Sequence, residues 1–384
     1  MLFKDVMVDD SIKERLINLV KNNRVSHAQL FLCSPGNHGF ALAVAYAQYL
    51  SCQNRGEHDS CGVCPSCVKF EKLSHPDFHL IFPNVAKNSN DKDYNSQKWL
   101  PEFRKYVFDN NYHIHINSWL NKLGGENKQA AINIRDCGNI VEQNSIRAYE
   151  GGYKIYLLWM VERLNYAAAP KLLKTLEEPE NKTLFILMTE NPDKLLSTIK
   201  SRTQYIKIPP LPEATIARQL QQDFNVSEEL AQDIASISEG NYVKALSLAK
   251  DNDEQEELLR LFETFFNGVM ANDGKHPLNQ VNFNGVTKAI EKIVKPGREA
   301  QKNFILYMER MIRNILLLNT NESLVKATRE EHALLNTYKS RLNVINATAL
   351  TQECNKAHYH IERNGNASLV FTDLFLKMSS ILAS

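Results

Sequence analysis

Four of the seven cysteines lie close together in the sequence, with a spacing that suits a metal ion. They are Cys52, Cys61, Cys64 and Cys67, in the pattern C-x8-C-x2-C-x2-C. The two-residue gaps let a turn bring successive sulfurs to one ion, and four thiolates around Zn²⁺ form a closed structural site rather than a catalytic one. His58 and His75 are alternative ligands for one position. A redox pair, or four ordinary loop cysteines, is the competing interpretation.

A glycine-containing turn between two apolar runs is the second candidate site. The run Ala28–Cys33 predicts a buried strand, and residues 40–52 predict a helix. Between them lies the sequence SPGNHG, which contains Gly36. Strand, glycine turn and helix are the layout of a phosphate-binding loop, whose catalytic form reads G-x-x-x-x-G-K-[ST].

The residues that would do the chemistry of such a loop are missing. Cys33 and His38 stand at the two glycine positions of the catalytic pattern. Gly39 stands in place of the lysine that neutralises the phosphates, and Phe40 in place of the hydroxyl that binds Mg²⁺. We therefore expect this loop not to bind ATP productively.

The run Tyr153–Val161 gives an independent test, because a strand of this kind in an ATPase ends in acidic residues that hold Mg²⁺. Here Trp159 and Met160 occupy those places, and Glu162 comes later in the register. Two elements thus lack the groups for hydrolysis. An open alternative is that the fold never bound nucleotides and that the loop is only a turn between a strand and a helix.

Length and charge narrow the class of protein. The 384 residues suggest two or three domains, and the net charge of +1 makes protein partners a better first expectation than DNA held by many phosphate contacts. No run of 18 apolar residues occurs, and the N-terminus does not resemble a signal peptide, so we expect a cytoplasmic protein without a membrane span.

Strands and helices alternate through the first half of the chain. Further strands are predicted at 77–83, 183–189 and 204–208, with a helix from about Asn165 to the residue before Pro179. This order predicts a parallel sheet with helices on both faces. Residues 84–130 interrupt it and are interpreted as an insertion.

The insertion combines a polar loop with an aromatic-rich segment. Trp99, Phe103, Tyr106 and Val107 have helical spacing and are predicted to pack on the host domain, with a partner-binding surface as the alternative. His113 and His115 alternate as in an edge strand, where exposed side chains are the expectation and a metal-binding pair the alternative. Three further cysteines are predicted to be buried thiols: Cys33, Cys137 and Cys354.

Beyond a proline-rich linker at 209–214 the sequence is helical to its end. We predict a core at 1–209 with a metal module at 52–67, a small helical domain at 210–252, and an all-helical domain at 253–384.

One long run connects these pieces to a known family. The sequence LLKTLEEPENKTLFILMTENPDKLLSTIKSRTQYIKI, residues 172–208, resembles the AAA+ subunits of the bacterial DNA polymerase III clamp loader. Other parts of the chain agree with this family in their order. They are the run SHAQLFLC, the cysteine cluster and the motif HPDF before residues 172–208, and the helical tail after them. The resemblance covers most of the chain except the insertion. Within this family the motor subunits have an intact loop, and this sequence is similar to the branch with a degraded one.

The resemblance assigns roles to individual residues. The arginine of the S-R-C signature falls on Arg202, beside Ser201, while Thr203 stands in place of the cysteine. The zinc ligands fall on the four clustered cysteines. Val243 replaces the arginine of a G-S-x-R pattern near the lid, which again implies no ATP hydrolysis by this chain.

An arginine supplied in trans suits phosphoryl transfer, because its planar cation stabilises charge on the γ-phosphate oxygens and can contribute about 10³-fold or more in rate. The simpler alternative for Arg202 is a cap on the helix predicted at 193–200. The resemblance implies a stator that does not hydrolyse ATP, in an AAA+ core followed by a helical lid and a collar. The implied partners are the gamma/tau and delta subunits, the sliding clamp and primer-template DNA. An active motor subunit and a stand-alone zinc-dependent DNA-binding protein are the rival functions.

Overall fold

A computed structural model describes residues 1–86, 94–124, 130–250, 252–271 and 283–383. These residues form two compact units, Met1–Gln219 with Ser238–Ala245, and Leu220–Ile237 with Leu246–Ser384. The predicted three-part division at 209 and 252 stays a prediction. Residues 87–93 and 125–129 of the predicted insertion lie outside the described part of the chain.

The first unit is built on a sheet of five parallel strands. They are β1 (Ala28–Cys33), β2 (Phe78–Ile81), β3 (Lys154–Leu158), β4 (Thr183–Thr189) and β5 (Gln204–Ile208). Their order in the sheet is β2-β3-β4-β1-β5, and each neighbouring pair is parallel. All residues of β3 and β4 are buried, as expected for a parallel sheet covered on both faces. The predicted parallel sheet is confirmed.

Helices cover both faces of this sheet. In chain order they are α1 (Asp10–Lys21), α2 (Gly39–Ser51), α3 (Pro65–Glu71), α4 (Leu100–Asp109), α5 (Ile116–Lys122), α6 (Ile134–Asn144), α7 (Ala169–Glu177) and α8 (Ser197–Lys200). The next helix, α9 (Glu213–Phe224), follows β5 and crosses the boundary between the two units. Alternate strand residues belong to different cores: Ile186 packs in the one that contains α1 and α2, and Leu187 in the one that contains α6 and α7. α7 begins at Ala169 rather than Asn165, because residues 165–168 form a turn in which Asn165 accepts a hydrogen bond from Ala167 N.

The described part of the insertion packs on the host unit, as predicted. Phe103, Tyr106, Val107 and Trp119 are buried, and partly buried Trp99 packs against the same core. The Phe103 ring stacks on Phe82 with centroids 3.8 Å apart.

The edge-strand prediction for His113 and His115 is wrong. Asn111 and Tyr112 have positive φ of 46° and 65°, which turns the chain out of the extended conformation. His113 then enters the interior at 8% exposure, and His115 precedes α5, where its Nδ1 accepts from Asn117 N at 3.3 Å. The two residues do not share an exposed face.

A buried carboxylate ties the base of the insertion to α6. Asp136 accepts from Ser96 N at 2.6 Å, from Asn84 Nδ2 at 3.0 Å and from Asn133 N at 3.0 Å. Asn84 and Ser96 lie before and after residues 87–93, so the carboxylate joins these two positions to α6.

All regular elements in the described residues of the second unit are helices, which confirms the predicted helical C-terminal region. Its helices are α10 (Glu228–Ser238), α11 (Tyr242–Lys250), α12 (Asn252–Ala271), α13 (Phe283–Val294), α14 (Arg298–Thr320), α15 (Arg329–Tyr338), α16 (Val344–Glu362) and α17 (Ala367–Ala383), the first two of which cross the boundary between the units. An aromatic and aliphatic core that includes Phe262, Met308 and Phe371 holds them together. No helix in the described ranges is both long and apolar enough to span a membrane.

An ion pair inside this unit joins α14 to α15. Arg310 donates through Nη1 and Nη2 to the two carboxylate oxygens of Glu331, at 3.0 and 2.5 Å. Tyr307 Oη donates to the same carboxylate at 2.9 Å, and Thr328 forms a capping box with it. The Glu331 side chain is only 3% exposed, so each of these partners offsets part of its desolvation.

We expect Glu331→Ala to destabilise the second unit by about 3–5 kcal/mol, because it removes the buried anion that Arg310 and Tyr307 contact and the Glu331 half of the capping box. Urea unfolding combined with hydrogen exchange of the α14 and α15 amides measures this change. The matched control is Glu330→Ala at the exposed neighbouring position, for which a change within about 0.5 kcal/mol is expected. Equal effects of the two substitutions would contradict the role given to the ion pair.

Candidate functional site

The degraded loop between β1 and α2 is closed by side chains of the same unit. Gly36 has a φ of +66°, and its carbonyl accepts from Tyr242 N at 3.0 Å. A Cβ on Gly36 would lie 1.7 Å from Oδ1 of Asn241, so only glycine fits beneath that amide. Asn241 and Tyr242 therefore occupy space against the loop.

A side chain of the loop also uses the first amide of α2. Asn37 Oδ1 accepts from Gly39 N at 2.9 Å, and Asn37 Nδ2 donates to Ile208 O at 3.0 Å. Free amides at a helix N-terminus are the groups that bind phosphate. Here one of them is satisfied internally, and the loop is fastened to the end of β5.

His38, at the position of the second glycine, is an uncharged part of the interior. Its Nδ1 accepts from Met7 N at 2.9 Å, and its ring stacks on His113 with centroids 4.2 Å apart. The His113 ring in turn lies 4.5 Å from that of Tyr242. Burial lowers the pKa of His38 well below its ordinary value and lowers the pKa of His113 to about 4. Neither ring carries a charge for a phosphate at neutral pH.

Apolar side chains stand where Mg²⁺ ligands would be needed. Phe40 is 3% exposed and packs edge-on against Phe103, with centroids 6.0 Å apart. Trp159 is 4% exposed and packs on the same Phe103 ring at 5.6 Å. Met160 follows in a left-handed conformation with a φ of +58°. The insertion thus supplies the ring that covers both replaced positions.

Two carboxylates make the neighbourhood of the loop unfavourable for a phosphate. Glu162 Oε1 accepts from Glu190 N at 3.0 Å, which brings the two acids together after β3 and β4. Burial, followed by the charge of Glu162, raises the pKa of Glu190 to about 7. Burial and these two acids also raise the pKa of the Cys33 thiol well above its ordinary value. An anion here would meet two closely spaced carboxyl groups in a partly desolvated site.

Arg202 lies on the surface just after α8. Its Nη2 contacts Glu177 Oε1 at 2.5 Å, with the two side chains 36% and 47% exposed. Its Nη1 donates to Thr198 O at 3.0 Å and to Ser201 Oγ at 3.2 Å. The bond to Thr198 is the helix cap expected in the simpler interpretation, and the exposure leaves the guanidinium accessible to a partner. Thr203, in place of the family cysteine, donates its hydroxyl back to Ile199 O at 3.2 Å.

The sheet separates Arg202 from the loop. β1 and β5 are parallel neighbours, with Gln29 opposite Gln204 and Cys33 opposite Ile208. The loop follows Cys33 at one end of this pair, whereas Arg202 precedes Gln204 at the other. A strand of five residues is about 16 Å long, so Arg202 cannot reach an anion at the loop of its own chain.

The four clustered cysteines converge on a single point. The sulfur of Cys52 lies 3.6 Å from that of Cys61 and 4.0 Å from that of Cys64, and the sulfurs of Cys61 and Cys67 are 3.9 Å apart. Four sulfurs at about 2.3 Å from a tetrahedral ion would lie about 3.8 Å from each other, so the cluster has the dimensions of a metal site. All four sulfurs lie within 4.8 Å of one another.

Backbone amides donate to the sulfurs of this cluster, although burial raises the pKa of Cys52 and of Cys67. Cys61 N donates to Cys52 Sγ at 3.4 Å, and Cys64 N donates to Cys61 Sγ at 3.3 Å. Although burial acts to raise it, hydrogen bonds from backbone groups including Cys67 N lower the pKa of Cys64 to about 6. Among the described residues, the group that could hold an ion contains only the cysteines. The alternative ligand His75 instead contacts Glu150 Oε2 at 3.2 Å, and His58 is 78% exposed beside Glu57.

Sequence reasoning missed the residues that close the loop and engage the arginine. Asn241 and Tyr242 adjoin Val243, which drew attention only as a missing arginine. His113 was predicted to lie on the surface, and Glu177, in the run LLKTLEEP, was given no role. The large side chains next to Val243 could have indicated that this segment fills the space at the loop. No local sequence pattern marks Glu177 as the partner of Arg202.

The sequence pattern of the family described as DNA polymerase III, delta subunit, matches residues 8–212, more than half of the chain. The chain belongs to this family.

Relatives in this family place the chain in its delta-prime branch. DNA polymerase III subunit delta' of Escherichia coli strain K12 is 28% identical over 247 residues, 64% of this chain and 61% of that protein. Subunit delta' of Bacillus subtilis strain 168 is 27% identical over 256 residues, 66% of this chain and 63% of that protein. The alignments thus span less than two thirds of either relative. The resemblance to a clamp-loader subunit with a degraded loop is confirmed at the level of the family.

A relative named as a tau subunit is also similar to this chain. DNA polymerase III subunit tau of Escherichia coli strain K12 is 25% identical over 252 residues, 64% of this chain and 32% of that protein. Among solved structures, one match is a polymerase III gamma subunit-related protein of Thermotoga maritima. The superposition includes 96% of this chain and 99% of that protein, with a TM-score of 0.41 and 14% identity.

The buried histidine pair makes the first unit sensitive to acid. The unfolded chain binds a proton at position 113 below the ordinary pKa of about 6.5, but the folded chain does so only near 4, so this residue lowers the free energy of unfolding as pH falls through that window. Between pH 7 and pH 5 the wild type should lose about 2 kcal/mol more than His113→Phe, which keeps a stacking ring. Urea unfolding of the first unit at both pH values measures the difference.

The control substitution is His58→Gln, at an exposed position of the same unit, which should retain the acid sensitivity of the wild type. An equal loss of stability in the wild type and in His113→Phe would show that His113 is not held neutral by burial in the folded state.

Proposed function

We propose that this chain is a non-hydrolysing stator of the DNA polymerase III clamp loader. In this function it lends Arg202 to ATP bound by a neighbouring gamma/tau-type motor subunit and helps to load the sliding clamp on primed DNA. The delta subunit is the other implied neighbour. The proposal includes an AAA+ core followed by a helical lid and a helical collar.

The position of Arg202 relative to the chain's own loop carries this proposal. The parallel register of β1 and β5 puts the arginine and the loop at opposite ends of the two strands. An exposed guanidinium so placed can meet a phosphate only on another molecule. Because its charge is permanent and its donors are planar, it suits the γ-phosphate oxygens in the transition state of phosphoryl transfer.

The interior of the loop supports the non-hydrolysing half of the proposal. Phe40 and Trp159 are buried in the aromatic core of the insertion, so they are integral to the packing of this unit. Asn37 satisfies the amide of Gly39. In the proposed function the loop and its helix persist because they form part of the sheet domain that docks beside a working ATPase.

The rival functions find less support. An active motor would need a cation at the loop and an oxygen ligand for Mg²⁺, for which Gly39 and Phe40 offer no groups. A stand-alone DNA-binding protein would be expected to carry a strong positive charge, whereas this chain has a net charge of +1.

We further propose that the metal held by Cys52, Cys61, Cys64 and Cys67 is structural Zn²⁺. An all-cysteine tetrahedral set leaves no open position for substrate, so the ion would stabilise the fold of residues 52–67 rather than catalyse a reaction. This segment has few apolar side chains of its own, and a metal would compensate for the missing core.

Removal of Arg202 gives the most direct functional test in solution. In a loader assembled with the motor subunits, Arg202→Ala should lower DNA-stimulated ATP hydrolysis by about 10-fold or more, because one of its transition-state cations is lost. Arg202→Lys should remain well below the wild type, since an ammonium cannot reproduce the planar fork. Steady-state phosphate release and clamp loading on primed DNA are the measurements.

The matched control for this test is Arg218→Ala, an exposed arginine of α9 beyond the opposite end of β5, which should leave both rates unchanged. Full activity of the Arg202→Ala loader would refute the trans role. ATP turnover by the isolated chain would refute the non-hydrolysing role.

Zinc content tests the metal assignment. The purified protein should contain about one Zn²⁺ per chain, and Cys64→Ser should lose most of it because three thiolates hold the ion more weakly than four. The control is Cys354→Ala, a buried thiol outside the cluster, which should retain full zinc. Unchanged zinc in Cys64→Ser, measured by plasma mass spectrometry, would contradict the assignment.

A further inference from the structure

The guanidinium of Arg202 already has an anionic partner within its own chain. Its Nη2 lies 2.5 Å from Glu177 Oε1. Its Nη1 makes the other contacts, with the carbonyl of Thr198 and the hydroxyl of Ser201. The arginine is therefore held by a carboxylate at one nitrogen and by neutral oxygens at the other.

These contacts come from different elements. Thr198 and Ser201 belong to the short segment that carries Arg202, so their contacts fix the side chain to its own helix. Glu177 is the last residue of α7, which is followed by Pro179. The ion pair is thus the contact that ties the guanidinium to a second element of the unit.

The position of Glu177 at the end of α7 indicates that this residue contributes through its ion pair with Arg202. A carboxylate at a helix C-terminus meets the negative end of the helix dipole, so it adds no stability to α7 by itself. Arg202, which follows the C-terminus of α8, stands at an end that favours a cation. The two residues therefore compensate each other, and a phosphate that draws Arg202 away leaves Glu177 with an uncompensated charge.

We infer that Glu177 is a positioning residue that holds Arg202 at rest and is exchanged for the phosphate of a neighbouring subunit. This inference rests on the proposed trans role of Arg202. A carboxylate and a γ-phosphate are both anions that bind a guanidinium, so in this inference they compete for Arg202. Both side chains are partly exposed, at 36% and 47%, and an exposed ion pair is weak enough to be exchanged when a phosphate arrives.

The inference gives a direction for each substitution. Glu177→Gln keeps the shape of the side chain but removes its charge, while the contacts with Thr198 and Ser201 keep Arg202 in place. The loader should then hydrolyse ATP faster in the absence of DNA, by about two- to five-fold, the bias that an exposed ion pair exerts on an equilibrium. The difference in DNA-free rate between Glu177→Gln and the wild type should decrease at high salt, because salt screens the ion pair in the wild type.

The experiment compares five assembled loaders: wild type, Glu177→Gln, Arg202→Ala, the double variant and the control Glu178→Gln. Glu178 is the exposed neighbour of Glu177 at the same helix end. Steady-state ATP hydrolysis is measured without DNA and with primed DNA, at low and high salt. We expect Glu177→Gln to raise the DNA-free rate, Glu178→Gln to leave it unchanged, and the double variant to match Arg202→Ala.

The outcomes separate this inference from the proposed function. If Arg202→Ala lowers hydrolysis but Glu177→Gln leaves the DNA-free rate unchanged or lowers it, the trans role stands and the inference fails. An increase in Glu177→Gln that persists in the double variant also overturns it, because the effect would then not pass through Arg202. If Arg202→Ala has no effect, both the proposed function and the inference fail.

Discussion

The parallel pairing of β1 with β5 is the constraint on which the functional account depends. It puts the degraded loop after the end of β1 and Arg202 before the start of β5, at opposite ends of these two neighbouring strands. Since the length of the two paired strands separates them, neither group can approach the other. A chain built in this way can present one face to a neighbour that supplies ATP and keep its own loop out of the chemistry.

Closure of the loop follows from packing rather than from a few missing side chains. Asn241 lies over Gly36, Asn37 satisfies the amide of Gly39, and His113 stacks on His38. The aromatic core of the insertion then covers the places of the lost Mg²⁺ ligands. We therefore expect that substituting a lysine and a threonine into the loop would not by itself create a nucleotide site, because buried side chains of other segments occupy its surroundings.

The sequence predicted what depends on local pattern. The strands at 28–33, 183–189 and 204–208 have the observed bounds, because their apolar runs lie between clear turn residues. The cysteine cluster was predictable because its ligands are close in sequence. The strand prediction at 113–115 was wrong, because alternation in so short a run does not reveal the turn at Asn111 and Tyr112. It also does not reveal that the ring partners of His113 lie 75 and 129 residues away in the sequence. The Glu177–Arg202 pair could not be predicted from the sequence either, because it depends on the relative positions of the C-terminal ends of α7 and α8.

The central claim is that Arg202 serves a nucleotide on another chain, and a structure of the assembled loader with primed DNA, the clamp and a γ-phosphate mimic tests it most directly. The account predicts that the Arg202 guanidinium lies about 3 Å from the mimic bound to the neighbouring motor subunit, with no nucleotide in this chain's own loop. A guanidinium still paired with Glu177 and remote from every phosphate, or a nucleotide seated in the loop, would contradict it.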